Sequence, residues 1–223
     1  MTRLESLRGC AAIIVAVVHS YAIFAYAPEA FPTQTTLQTL VHVIFPGTTA
    51  LITFFVISGY VLSLSLDRSE TTIRNVMIFY MRRLFRIFPA HIVWIFIALG
   101  LLFTFGGPED IPTADAWFNE MNSAPITVTL ILANLALFVT SLIPGEWTLT
   151  LELIVYMIYP IMYLINRRGG VVVNVLFMLV LLACSFFLSD SKLFHYLYAF
   201  YFGLAAQPLY KRYIERISER KAV

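Results

Sequence analysis

"RLESLRGCAAIIVAVVHSY", running from Arg3 to Tyr21, decides the fold because it reads in two ways. A short basic start followed by an apolar core is how a secretory signal peptide begins. A small-x-small cleavage signal should then follow. None does convincingly, and further apolar segments come after, so the stretch is expected to be a retained membrane helix. It also carries Arg8 and His19. An ionisable group inside a membrane span is expensive and is by default a functional-site hypothesis.

The rest of the chain agrees with a membrane setting. Hydrophobic residues fill 60% of 223 positions and charged residues 13%, with mean hydropathy +0.81. A soluble domain is nearer half apolar and about a quarter charged. Seven apolar segments follow one another at Gly9–Tyr26, Leu40–Leu66, Ile87–Phe105, Ile126–Ile143, Trp147–Ile165, Val171–Leu188 and Leu193–Tyr210. Each is close to the ~20 residues a helix needs to cross a bilayer core. They are too long and too uniformly apolar for barrel strands, so the expected class is all-α, a polytopic transmembrane helical bundle. No soluble domain, repeat or low-complexity tract interrupts it. Cys10 and Cys184 both lie in apolar runs and are expected as packed thiols rather than a disulfide.

Orientation follows from Lys and Arg. Arg3 and Arg8 put the N-terminus in the cytoplasm, and Arg68, Arg74, Arg82, Arg83 and Arg86 cluster two crossings later. The loop Gly106–Pro125 holds Glu109, Asp110, Asp115 and Glu120 without Lys or Arg, as an external loop should. Seven full crossings would then leave Arg167, Arg168 and the basic C-terminal tail (residues 211–223) outside. Ile126–Ile143 is short, bracketed by Pro125 and Pro144, and carries Asn134 near its centre. A half-crossing segment buried in protein is allowed there. The expectation is six to seven membrane segments, with the even count preferred.

Three polar features stand out. Arg8 and His19 are eleven residues apart, which on a helix is three turns plus about 20°, so they share a face with ~16 Å between them along the axis. That places Arg8 at the cytoplasmic surface, where it can meet an anion, and His19 at depth as a titratable base. Against this, Arg8 would simply snorkel to headgroups and His19 bond a neighbouring helix. In "FYMRRLFRIFPAH" (Phe79–His91), Arg82, Arg83 and Arg86 are spaced to present to one side of a helix. Guanidinium groups bind phosphate bidentately, although a positive-inside signal accounts for the charge equally. His42 and His195 sit near segment ends and are read as structural, while His91 stays open between the two readings. In "GEWTLTLELIVYMIYP" (Gly145–Pro160), Glu152 has no Lys or Arg within four residues. It must pair with another helix or stay protonated.

Together these stretches resemble the membrane-bound acyltransferase family 3. "LESLRGCAAIIVAVVH" resembles its opening, with an arginine and a histidine separated by ten residues; "FFVISGYVLSLS" (Phe54–Ser65) resembles its second-helix signature. "RRLFRIFPA" (Arg82–Ala90) resembles its arginine-rich segment. "EWTLTLE" (Glu146–Glu152) resembles its Trp-Ser-x-Ser-x-Glu element, with Thr148 and Thr150 at the serine positions. "YAFYFGLAAQPLYKR" (Tyr198–Arg212) resembles a later helix. Two departures accompany the match. Ile52 stands where many members carry an acidic residue, and the family domain usually has about ten helices, so the chain reads as a short or C-terminally truncated member.

The resemblance implies O-acyl transfer from acyl-CoA, acetyl-CoA in the simplest case, to a hydroxyl of a cell-envelope carbohydrate or lipid-linked glycan. His19 and Glu152 become the candidate catalytic residues, as base and as the carboxylate that orients it. Arg8, Arg83 and Arg86 become candidates for holding the CoA phosphates. The expected domain plan is a transmembrane acyltransferase-like domain over 1–210 and the tail over 211–223. No permanently bound cofactor, no metal and no nucleic-acid partner are expected. Membrane lipid is an expected partner, as is a second copy or a subunit supplying further helices. The expected home is the plasma (inner) membrane. The competing readings are an inactive family member acting as a subunit, and a transporter. The latter would need paired discontinuous helices in two halves, which the sequence lacks.

Overall fold

A computed structural model describes residues 2–23, 44, 46–67, 72–105 and 125–221. Among these residues the chain is all helical, with seven α-helices and no strand: α1 (Thr2–Ile23), α2 (Gly47–Asp67), α3 (Ile73–Phe105), α4 (Val128–Leu135), α5 (Trp147–Arg168), α6 (Gly170–Phe187) and α7 (Lys192–Lys221). A single 3-10 turn, Pro144–Glu146, leads into α5. Among the described residues four helices are long and apolar enough to cross a membrane: α2, α3 over Ile73–Thr104, α5 and α6. In α1 the apolar stretch is the shorter Ser6–Val18. The expected external loop at 106–124 and the first residues of the second apolar segment lie outside the described residues.

Two helix boundaries depart furthest from the hydropathy reading. α3 begins at Ile73 rather than at Ile87, so the arginine cluster is part of one long helix and Pro89 lies inside it. α7 runs unbroken from Lys192 to Lys221, through the stretch expected as a tail. The segment expected to cross halfway contains only the eight residues of α4. At 1.5 Å per residue that is ~12 Å, well short of the ~30 Å hydrocarbon core. This segment does not cross as a helix.

The chain divides into two compact units. The first combines Met1–Ala12, Leu51–Tyr80 and Val155–Val223. Within it α2 and α7 touch backbone to backbone. A Cβ on Gly59 would overlap the Phe200 carbonyl oxygen, and a Cβ on Gly203 would overlap that of Val56. Small residues let membrane helices approach this closely, where packing rather than the hydrophobic effect drives association. Phe55 stacks on Phe200 beside the contact, with ring centroids 4.7 Å apart. Tyr159 of α5 donates to the Gly59 carbonyl, and Tyr80 donates to Met157 O at 3.0 Å. At the end of α2, Asp67 accepts from Tyr163 (3.2 Å) and Gln207 (3.4 Å). α6 packs on α7 and turns back from α5 at Gly170, whose φ of +64° suits a residue without Cβ.

The second unit combines Ile13–Ala50 and Met81–Ile154. It contains most of α3, all of α4, the 3-10 turn and the first two turns of α5. On α3 the buried positions are Phe79, the one that falls in the first unit, and Arg83, Ile87, His91, Ile95 and Leu99 of the second, an unbroken i, i+4 row. Such a row is one of the ridges by which helices pack. Two of its six members are cationic or titratable, and that directs attention to what His91 meets.

Candidate functional site

The polar centre of the second unit grows from the short helix α4. Thr127 caps its start, its side chain accepting from Leu130 N at 3.1 Å. Its end is a Schellman turn. Phe138 N donates to Ala133 O and Leu137 N to Asn134 O, both at 2.9 Å. The left-handed residue of this motif is usually glycine, but here it is Leu137, with φ +58°. Two features hold the leucine there. Its side chain is only 2% exposed, and its carbonyl accepts from the Thr150 hydroxyl at 3.1 Å. Pro144 then starts the 3-10 turn, and Thr148 donates to Gly145 O at 3.1 Å to close the entry into α5. Both threonines of "EWTLTLE" thus tie the chain back onto itself.

Asn134 organises the loop between α4 and α5. Its amide nitrogen donates to Leu130 O (2.8 Å) and Ser141 Oγ (3.3 Å), while its Oδ1 accepts from Leu142 N (3.1 Å). A buried polar side chain is costly unless satisfied, and here the whole amide is used. From α3, His91 reaches into the same loop, fully buried at 1% exposure. Its Nε2 lies 3.0 Å from Asn134 O and its Nδ1 2.9 Å from Glu146 Oε1. One imidazole therefore bridges the end of α4 and the start of α5. Glu146 lies outside the four long apolar helices. Burial pushes its carboxyl above the ordinary carboxylate range, and the hydrogen bond and charge of His91 act in the opposite sense.

The residues singled out from sequence fall on both units. Glu152 is buried at 4% exposure on the second turn of α5, in the second unit. His19 lies within α1, its side chain outside the described residues. The arginines of α3 do not share one environment: Arg83 is buried on the i, i+4 row, while Arg82 and Arg86 are exposed. Three residues of spacing rotate a helix by 300°, enough to carry Arg86 off the buried row. Arg8, in the first unit, is expected from its spacing at the cytoplasmic surface of the membrane. Within the protein it is 7% exposed, with its guanidinium 4.9 Å over the Phe54 ring. Phe54 precedes the Asp67 end of α2 by thirteen residues, ~20 Å along the axis. A desolvated guanidinium over an aromatic face gains from the ring quadrupole.

Two members of the cluster escape a reading of the sequence. His91 stays open there and Glu146 carries no role, since neither has a local partner. The available signal is their joint occurrence with Asn134, three buried-type anomalies in otherwise apolar segments. Among the described residues no group of three or more His, Cys, Asp or Glu is placed to hold a metal ion.

Comparison with known proteins adds the remaining information. A family model described as an acyltransferase domain matches residues 1–223. The chain is similar to Acyltransferase MdmB of Streptomyces mycarofaciens, with 27% identity over 172 residues, covering 75% of this chain and 41% of that relative. The chain thus spans less than half the length of the relative it matches. No solved structure matches it.

Proposed function

The chain belongs to the acyltransferase-domain family across residues 1–223, and from that premise we propose that it works as an integral membrane O-acyltransferase. The donor in this reading is an acyl-CoA, acetyl-CoA first, and the acceptor a hydroxyl on a cell-envelope carbohydrate or lipid-linked glycan. The observation that carries it is Glu152, a carboxyl kept buried on an apolar helix whose first turns are anchored by a polar loop. Burying such a group costs free energy, and chains that span membranes retain it where it serves chemistry.

In the proposed reaction His19 accepts the proton of the acceptor hydroxyl as its oxygen attacks the thioester carbonyl. The tetrahedral adduct collapses with cleavage of the carbon–sulfur bond. The proton held by the imidazolium passes to the departing CoA sulfur, leaving an ester and free CoA. A positioned histidine contributes ~10²–10⁴ in rate by this route. Glu152 orients the imidazole in the manner of a triad carboxylate. Arg8, Arg83 and Arg86 supply cations for the CoA phosphates, Arg86 being the exposed member and Arg8 and Arg83 the buried ones. The protein resides in the plasma membrane with its N-terminus and arginine clusters cytoplasmic, on the side where acyl-CoA is made.

The test compares base-labile O-acetyl groups on envelope glycans in cells expressing this chain and in cells expressing His19→Gln at matched membrane levels. Acetate release that rises only with the unaltered chain supports the reading. Equal release from both refutes the role of His19.

A further inference from the structure

The buried cluster around His91 fixes where its protons lie. The partner of Nε2 is the backbone oxygen of Asn134, and a carbonyl only accepts, so Nε2 carries a hydrogen. The partner of Nδ1 is Glu146 Oε1, so one further proton lies on that line, on either the carboxyl or the ring. The other carboxyl oxygen decides between them. Glu146 Oε2 is buried and has no hydrogen-bond partner among the described residues, and Glu146 as a whole is 7% exposed. An ionised carboxylate spreads its charge over both oxygens and needs donors at each. A neutral acid needs none at its carbonyl oxygen, and leaves the imidazole neutral as well. The neutral pair avoids burying two charges that only one hydrogen bond connects.

We propose that Glu146 is held as a neutral acid donating to Nδ1 of a neutral His91, and that His91 is thereby a positioning residue. It pins the end of α4 and the start of α5 together and so sets where Glu152 stands. The second half of this statement rests on the acyl-transfer reading given above; the first half does not. Asn134 is the penultimate residue of α4 and Glu146 the last residue before α5, so the imidazole closes the loop that joins them. Glu152 lies six residues beyond Glu146, ~9 Å along the helix. An error in the start of α5 therefore passes to it undamped.

The experiment uses the intact chain in phosphatidylcholine–phosphatidylglycerol vesicles. Solid-state NMR of ¹⁵N-histidine chain, with the His91 signals identified by their loss in His91→Gln, is expected to show Nε2 protonated and Nδ1 bare. Protonation of both nitrogens overturns the neutral pair. Hydrogen exchange of the amides of residues 147–152 then tests the pinning. Gln offers an N–H donor group and an acceptor oxygen, and so can supply the one donor and one acceptor that the neutral ring and the neutral acid each supply here. Exchange is expected to rise by about tenfold or more in His91→Ala and to stay within about threefold in His91→Gln and Glu146→Gln. Unchanged protection in His91→Ala overturns the role. Should that variant fail to insert, Glu146→Leu makes the same comparison: faster exchange supports the pinning and unchanged exchange overturns it. In turnover assays His91→Ala is expected to lower kcat with the KM for acetyl-CoA held, and His91→Gln to restore kcat. An unaltered kcat in His91→Ala refutes positioning for the reaction. A chain with no turnover in any form refutes the acyl-transfer reading instead, and the spectra and exchange still decide the pair and the pinning.

Discussion

Replacing Gly203 by alanine tests the contact that brings α2 and α7 together. The added Cβ would overlap the Val56 carbonyl oxygen and lie 2.8 Å from Tyr60 N and 2.9 Å from the Val56 carbonyl carbon. Ordinary contacts begin at 3.4 Å, so relieving the overlap requires roughly an ångström or more of separation, enough to forfeit much of the dispersion well of atoms along the seam. All three obstructing atoms are helix backbone, which has no rotamer to escape into. The Phe55–Phe200 stack, 4.7 Å between centroids, lies on the same seam and opens with it. Overpacking of this kind costs about 3 kcal/mol, the upper end of the usual range, and alanine returns roughly 0.5–1 kcal/mol in helix propensity. The net loss of about 2 kcal/mol corresponds to a melting temperature lower by roughly 4–8 °C in a chain of this size. Gly100→Ala is the control. Nothing lies within 4 Å of its Cβ position on exposed α3, so only the propensity gain remains, worth up to about 2–4 °C upward. Both are read by thermal unfolding of detergent-solubilised protein, followed by near-ultraviolet dichroism. A Gly203→Ala protein that melts with or above the unaltered chain refutes the close backbone approach.

Asn134→Ala leaves Leu142 N without its acceptor and removes two donors from the α4 loop. A loss of roughly 2–4 kcal/mol is expected in the same melt, and a loss below about 0.5 kcal/mol contradicts the network. Thr150→Val strips the donor from Leu137 O at a cost of about 1–2 kcal/mol, while Thr150→Ser keeps it; equal melts for the two variants remove the role assigned to the hydroxyl. Glu146 also links stability to pH. Its carboxyl is raised above 4.5 by burial, so its contribution is fully present below pH 4.5 and is lost as pH rises through the raised native value. The melting temperature of the unaltered chain should therefore fall relative to Glu146→Gln as pH rises, and a constant difference from pH 4 to about pH 9 contradicts that sign.

Hydropathy and spacing alone established the all-helical membrane class, since crossing hydrocarbon demands long apolar runs and hydropathy belongs to each residue by itself. The same local reading singled out residues 126–143 as a poor continuous span, because Pro125, Pro144 and Asn134 are each costly in one, and the helix there is only eight residues long. It also singled out "EWTLTLE", whose two threonines hold the entry to α5. Local pattern fails where a property depends on which helices meet. His91 and Glu146 are 55 residues apart and become a pair only because α3 packs beside the α4 loop. Arg83 and Arg86 look alike in sequence, yet three residues of helical rotation bury one and expose the other. Arg8 has the spacing of a surface arginine, yet it is buried with its guanidinium over the Phe54 ring of another helix. Gly59 and Gly203 show no signal in their own neighbourhoods; each matters through a carbonyl on the other's helix. Composition determined what kind of solvent this chain inhabits, and the tertiary structure decided which of its few polar groups that solvent never reaches.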